Sequence, residues 1–557
     1  MTLTGTSSAP GTAVSPHTTV VALNGRLHHR EVLADALDVA PDREPDESLI
    51  RRAYDRWGTA AIERLRGRFA VAVWDLPRRT LVLARDPIGL VPLYYHASHD
   101  RLAFSSAMAT LAALPGVPRV LDDAHMAAYV LLRQADRSST FLSGVTRLLP
   151  GHLLTYADGQ ATVKRHYHPR PAPLPGGASD RDYADALREK IDLALRANMP
   201  AGHRVGIYLS GGLDSSALAC LALRHLRRSG ESLVAVSSVL PPGHEGPETD
   251  EEPYLAALEG SQPGLHVERI TAGVTGVFDD LEDGFARLWS PVNPFHYMDR
   301  ALALALRRQG ATVVLSGFGG DAGPSLRRPD LGPLASRRRL SPRAWLGRAR
   351  RAASRVVAGR WTSVPAGSPG SRSLAARHRS LRPISRPVDN AEYHLSRLET
   401  GIGQVGEEFI GLHASLGLDL VLPYFDLDVL EFLAGVPARQ FSLENEDRSL
   451  FRRAMAGVLP DVIRTRRNKH PYVPDFPRRL DRERPALLEW LETQRHRESG
   501  ARLDDYLDVD RIARALGRVR PVARREEWDS RILGPASTGL VVARFLRWFE
   551  QSGEISA

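Results

Sequence analysis

Between residues 183 and 323, short apolar strands alternate with helices, and this alternation constrains the chain more than any other feature. "RVGIYLS" (204–210), "SLVAVSS" (232–238), "LHVERIT" (265–271) and "TVVLSG" (312–317) read as strands, the first of them buried. Between them lie "SALACLALRHLRR", "PYLAALEGS" and "MDRALALALRRQG", whose spacing is helical. Strands that feed helices in this order predict a parallel, doubly wound sheet. In such a sheet the ligand crevice lies outside the carboxyl ends of the strands. Two of those ends carry glycine turns with an acid: "SGGLDSS" (210–216) and "SGFGGD" (316–321).

A turn between a strand and a helix N-terminus offers free backbone N–H groups and a positive dipole end, which suits an anion. Gly211 and Gly212 allow close backbone approach, and Ser210 and Ser215 add hydroxyls. An acid in such a turn, Asp214 here and Asp321 in the second turn, repels phosphate unless Mg²⁺ stands between them. The two loops together predict a metal–polyphosphate site. The Walker pattern G-x-x-x-x-G-K-[ST] does not occur, which argues against a kinase-like or GTPase-like cradle.

The first third of the chain reads differently. "GRFAVAVWDLPRRTLVLAR", "VPLYYHASHDRLAFSS" and "HLLTYADGQATVKRHYH" are hairpin patterns, and with "TVVALNG" and the helix "HHREVLADALD" they predict a layered α+β domain. The expected organisation is a tail over 1–18, this domain over 19–170, a Pro/Gly-rich linker over 171–182 and the α/β domain over 183–557, helical towards its end. With 43% apolar and 25% charged residues and no apolar run long enough to span a bilayer, a soluble protein with no membrane partner is expected. The single cysteine, Cys220, sits in an apolar helix and reads as buried; one cysteine predicts a cytoplasmic address. The net charge of +9 is local: residues 327–386 contribute +15 and the rest −6. Only Trp345 and Trp361 accompany those arginines, so nucleic acid is not the expected partner. The segment is either a solvated insertion or a cationic surface for an acidic peptide or protein.

These motifs together resemble the asparagine synthetase superfamily from about residue 19 to the end. "LNGRLHHREVL", "LARDPIGLVPLYY" and "LLPGHLLTY" resemble its glutaminase-type domain, an N-terminal-nucleophile fold. "SGGLDSS", "VLSGFGGD", "LVLPYFDLDVLEF" and "FRRAMAGVLPDVIRTRRNKH" resemble its ATP pyrophosphatase domain. The resemblance implies ATP-dependent activation of a carboxylate as an acyl-adenylate, release of pyrophosphate, and capture by an amine. It assigns Mg²⁺ to Asp214 and Asp321, the phosphates and nucleotide to Ser210, Gly211, Gly212, Asp214, Ser215, Ser316, Gly317 and Gly319, and adenosine to Ser237.

Glutamine-using members carry a cysteine after the initiator Met, where this sequence has Thr2. About twenty residues precede "LNGRL", which speaks against Thr2 as a replacement nucleophile and for a degenerate glutaminase-like domain. Among relatives lacking that cysteine, the chain is most similar to lasso peptide cyclases. That resemblance implies a macrolactam closed by a peptide's own N-terminal amine, with a leader-cleaved precursor peptide, a leader peptidase and a leader-binding protein as partners. A β-lactam-type small-molecule synthetase is the enzymatic rival, a catalytically dead scaffold the rival of another class, and a tRNA-modifying pyrophosphatase a more distant one. Where the β-lactam branch has a tyrosine this loop has Phe318, and its acidic partner position resembles Asp419. Lys469 is one of three lysines against 71 arginines, beside three arginines in "RTRRNKH". A compact ammonium there fits a reacting centre better than a guanidinium, and the family counterpart stabilises charge on the acyl-phosphate. His296 and Tyr297, in "NPFHYMDR", either line the substrate pocket with Phe318 or pack a helix start on the sheet. Asp250, Glu251 and Glu252 read as an amine site or a solvated helix start. The pairs at His28 and His166 read as surface.

Overall fold

A computed structural model describes residues 19–327 and 364–555, less 41–43, 100, 272, 274, 365–366, 385–386, 388, 401–402, 445, 497–502 and 523–529. The tail 1–18 with Thr2, and most of the arginine-rich segment with Trp345 and Trp361, lie outside the described residues.

The N-terminal domain is built on β2 (Gly67–Asp75), which alternates large and small apolar residues. Phe69, Val71 and Val73 face helices Arg30–Leu37 and Asp46–Trp57, burying Leu33, Leu49, Ile50 and Tyr54. Ala70 and Ala72 face the opposite way, onto Leu93, Leu148 and the small sheet's Tyr95 and Phe104. Because both faces are covered, the strand is apolar throughout. It pairs antiparallel with β1 (Thr19–Leu27) and β3 (Thr80–Arg85), and β7 (His152–Ala157) and β8 (Gln160–Arg165) complete the order β1-β2-β3-β7-β8. The smaller sheet is β5-β4-β6, with β4 Tyr94–Ala97, β5 Leu102–Ser105 and β6 Thr146–Arg147.

Two histidines expected at the surface are buried here. His166 lies under β3, its Nε2 3.0 Å from the Arg85 carbonyl, and His28 stands 3.7 Å from Asp426. Each is covered because its neighbouring element packs against another part of the chain. Asp86 ends β3, and its carboxylate accepts backbone N–H groups from Phe69, Ile88, Gly89, Leu90 and Val91, fixing the turn "RDPIGLV".

The Pro/Gly-rich segment has no helix or strand until Ser179, whose hydroxyl caps helix Asp180–Asn198 in a capping box with Asp182. The second sheet is parallel, in the order β11-β10-β9-β12-β13. Its strands are β9 Val205–Tyr208, β10 Leu233–Ser238, β11 His266–Ile270, β12 Val313–Ser316 and β13 Asp419–Val421. The order reverses between β9 and β12, which puts the switch point between the two acidic loops. Helices Leu213–Ser229 and His296–Arg308 cover the sheet with apolar faces. Their core is continuous with Ile88, Leu90 and Tyr94 of the N-terminal domain.

Helix Gly403–Ser415 joins the two domains. Its buried Glu407 accepts hydrogen bonds from Arg85 Nη2 (3.2 Å), Arg147 Nε (2.9 Å) and Tyr94 Oη (2.8 Å). Burial opposes the charge of Glu407, but Arg147 and Arg85 hold its carboxyl below the usual range.

Candidate functional site

A cavity of about 440 Å³ opens at the switch point. The loop after β9 and the loop after β12 form its floor, and residues 466–472 form one wall. Of the residues singled out in the sequence, Ser210, Gly212, Asp214, Ser215, Ser237, Glu251, Ser316, Gly317, Phe318, Gly319, Asp321 and Lys469 line it. Gly211 stands just behind. Its φ of +65° makes the turn, and its carbonyl accepts from Arg466 at 3.1 Å.

The two acids meet because the loops interlock. A Cβ at Gly320 would lie 2.4 Å from Asp214 Cγ, so only glycine lets the second loop seat against the first. Burial, and then the Asp321 carboxylate, push the Asp214 carboxyl up to about 6, against the pull of Lys469. Asp321 is reached by Lys469 Nζ at 2.5 Å and by Arg448 Nη2 at 2.7 Å. Arg452, 3% exposed, donates to the carbonyls of Arg464 and Arg466 and so anchors the segment that carries Lys469.

The residues present fit a magnesium nucleotide. Helix Leu213–Ser229 begins at Gly212 with no side-chain cap, leaving its first N–H groups to the cavity. Ser210 Oγ and Ser215 Oγ are 3.0 Å apart at the turn. Among the described residues, buried Ser237 Oγ, Ser238 Oγ and Asp214 Oδ1 have no hydrogen-bond partner, and all three residues line the cavity. Orphaned polar atoms in one concave site call for a polar ligand. Two hard carboxylate donors suit Mg²⁺.

Three expectations are corrected. Asp419 is not in the cavity. It begins β13, level with Val313, whereas the loops leave the opposite ends of the strands, about 10 Å away at 3.3 Å per residue. There it pairs with Arg26 Nη2 at 2.7 Å and with Arg68, forming a second inter-domain contact. His296 and Tyr297 do not line the cavity either. The first turn of their helix packs inward, His296 against Gly284 and 3.4 Å from Glu408, and Tyr297 under the Arg479 guanidinium at 5.5 Å. The acidic run 250–252 is not a solvated helix start. Asp250 accepts from the Leu240 and Glu252 N–H groups, Glu252 binds Arg269, and buried Glu251 is held by Arg466 and the His470 N–H. Phe318 does line the cavity, stacked between Phe409 and Phe425 at 5.8 and 5.9 Å.

Arg448, Arg452 and Arg466 were not singled out in the sequence. In a chain with 71 arginines nothing local distinguishes them.

Residues 186–550 match a family model described as asparagine synthase, and residues 4–168 match one described as a glutamine amidotransferase domain. A putative glutamine-hydrolysing asparagine synthetase of Mycobacterium tuberculosis is 32% identical over 226 residues, covering 39% of this chain and 34% of that protein. Amidase chyE of Penicillium rubens is 28% identical over 327 residues (56% and 48%). Glutamine-hydrolysing asparagine synthetase 3 of Bacillus subtilis is 22% identical over 583 residues (96% and 87%). The chain thus spans about a third of the mycobacterial relative's length and about half of the Penicillium one's. Among solved structures, glutamine phosphoribosylpyrophosphate amidotransferase from B. subtilis matches at 16% identity, 56% of this chain and 63% of that one, with a TM-score of 0.20.

Proposed function

The chain belongs to the asparagine synthase family, and on that premise we propose that it is an ATP-dependent ligase forming a macrolactam within a ribosomally made peptide. The observation that carries this reading is one cavity containing both acidic glycine turns, an uncapped helix N-terminus and Lys469. An Asp or Glu side chain of the peptide attacks the α-phosphorus of ATP, and the bond to pyrophosphate breaks. The N–H groups after Gly212 and the hydroxyls of Ser210 and Ser215 receive the departing pyrophosphate. Asp214 and Asp321 would hold Mg²⁺, which would supply neutralisation of the polyphosphate charge. Ser237 binds the adenosine, and Lys469 offsets negative charge growing on the acyl-phosphate in the transition state. The peptide's N-terminal amine then attacks the acyl carbon and AMP leaves.

The intramolecular amine is favoured by the state of the only cysteine. Cys220 is buried in helix Leu213–Ser229, and burial pushes its thiol up to about 11, so it is no nucleophile for glutamine. An amine tethered to the activated acid gains a large effective concentration instead. A peptidase that frees this amine and a protein that presents the leader are the partners this reading requires. A second reading, a small-molecule amide or lactam synthetase, is favoured by the cavity's volume of about 440 Å³, which is that of a small-molecule site.

The test is carboxylate-dependent ATP–pyrophosphate exchange. Synthetic peptides with a free N-terminus and one internal Asp or Glu are offered beside small β-amino acids. Peptide-stimulated exchange, with loss of one water from the peptide and AMP as product, supports the reading. Exchange with small acids alone replaces the peptide by a small molecule, and ADP with orthophosphate refutes both.

A further inference from the structure

Adenylation as described leaves a buried polar cluster at the back of the cavity unused. Asp299 lies in the first turn of helix His296–Arg308 and is 3% exposed. Its Oδ1 accepts from Tyr472 Oη at 2.9 Å and its Oδ2 from Asn293 Nδ2 at 3.0 Å. The same Asn293 Nδ2 donates to Glu408 Oε1 at 2.8 Å, so one amide links two buried carboxyls. Tyr472 is three residues past Lys469. The residue lines the cavity and is 37% exposed, and its hydroxyl donates to the acid.

The groups facing Asp299 come from four elements. They are Glu408 of helix Gly403–Ser415, with His296 beside it; Tyr472; Tyr208 at the end of β9; and Tyr297 of its own helix. Tyr208 also lines the cavity, but its hydroxyl is bonded to His413 Nε2, whose Nδ1 meets the Phe409 carbonyl at 2.6 Å. Among the described residues no Lys, Arg or His pairs with Asp299. A carboxyl placed so is held for something other than an ion pair. Burial, and then Glu408, push it up to about 7, where a base exchanges protons readily at neutral pH.

We propose that Tyr472 and Asp299 form the relay that removes the proton from the attacking amine, a role that rests on the ligase reading above. The C–N bond forms at the acyl carbon, and the bond from that carbon to the AMP oxygen breaks, AMP leaving with the electron pair. The proton on the new ammonium passes to Tyr472 Oη as the tyrosine's own proton passes to Asp299 Oδ1. Solvent takes it from Asp299 after release. Lys469 and Tyr472 thus serve successive half-reactions from one short segment, the first at the phosphate and the second at the amine. Phe318, which holds no proton, is not needed for this step.

The experiment compares the full-length chain with Tyr472→Phe and Asp299→Asn. For each, peptide-dependent ATP–pyrophosphate exchange and peptide cyclisation are measured from about pH 6 to 9. The probes are synthetic peptides with a free N-terminal glycine and one internal Asp or Glu. Hydroxylamine, a weaker base whose ammonium adduct is acidic enough to lose its proton to solvent, serves as the alternative acceptor. The relay predicts that the ratio of cyclisation to exchange falls at least about tenfold in both variants, a loss typical of removing a general base. Hydroxamate yield falls far less than cyclisation, and the rising limb near pH 7 is missing in Asp299→Asn. Variants that keep the wild-type ratio and limb overturn the relay while leaving the ligase reading intact. Absence of exchange in the wild type overturns the ligase reading, and the relay with it. Should Asp299→Asn fail to fold, Tyr472→Phe decides alone, since it deletes one oxygen from a residue that lines the cavity.

Discussion

Gly320→Ala tests the interlock of the two loops with a single methyl group. Gly320 has no positive φ, so alanine meets no backbone penalty and the perturbation is purely steric. The new Cβ would stand 2.4 Å from Asp214 Cγ, 2.6 Å from Oδ1 and 2.8 Å from Cβ, where ordinary contact begins at 3.4 Å. The Asp214 carboxylate or the second loop must therefore shift by about 1 Å, and misplacement of that size costs about a hundredfold in rate. Overpacking a buried site also costs about 1–3 kcal/mol of stability. Gly317→Ala provides the graded control. Its Cβ meets the Ser215 backbone nitrogen at 3.0 Å, so a shift of a few tenths suffices and about a tenfold loss is expected. The assay is ATP–pyrophosphate exchange titrated with Mg²⁺, alongside thermal unfolding. Gly320→Ala should lose most of its exchange and need more Mg²⁺ for what remains. Exchange within about threefold of wild type would refute the claim that Asp214 and Asp321 act as one metal site in register.

Three further outcomes are expected. Glu407→Ala strands two arginines and a tyrosine at the domain boundary and should cost about 3–5 kcal/mol, read from denaturant unfolding; a loss under about 1 kcal/mol would mean the boundary is wet. Asp419→Ala should lower Tm by freeing Arg26 and Arg68 yet leave exchange within about twofold, and a large loss of exchange at unchanged Tm would return Asp419 to the chemistry. The raised carboxyl of Asp299 binds a proton in the folded state that the unfolded chain has released above about pH 4, so its contribution to stability is present at low pH and lost as pH rises through about 7. Asp299→Asn should therefore gain stability relative to wild type between about pH 4 and 7 by a few kcal/mol, measured by unfolding at each pH; a difference flat in pH would show that Asp299 is ionised throughout.

The two acidic loops were legible in the sequence because a glycine turn, a hydroxyl and an acid fall within seven residues, and the strand–helix alternation fixes which end of the sheet they occupy. Lys469 was legible through rarity, being a lysine where the chain otherwise uses arginine. The place of Asp419 was not legible, because chain proximity to "LVLPYFD" does not say which end of a strand a residue begins, and only the register with Val313 does. Asp299 had a faint signal, an acid at the head of the apolar "ALALAL" helix, but its partner Tyr472 is 173 residues away and no spacing rule joins them. Glu407 is likewise defined by arginines 322 and 260 residues distant.

Three consecutive residues of helix Gly403–Ser415 point to three places: Glu407 to Arg85 and Arg147, Glu408 to Asn293, and Phe409 to the stacked face of Phe318. Excising the first 170 residues would thus not produce a minimal enzyme. It would untie the helix whose Phe409 lines the cavity. A module that has no thiol of its own remains useful as a brace, and its worth should be measured in how well the other half keeps its geometry.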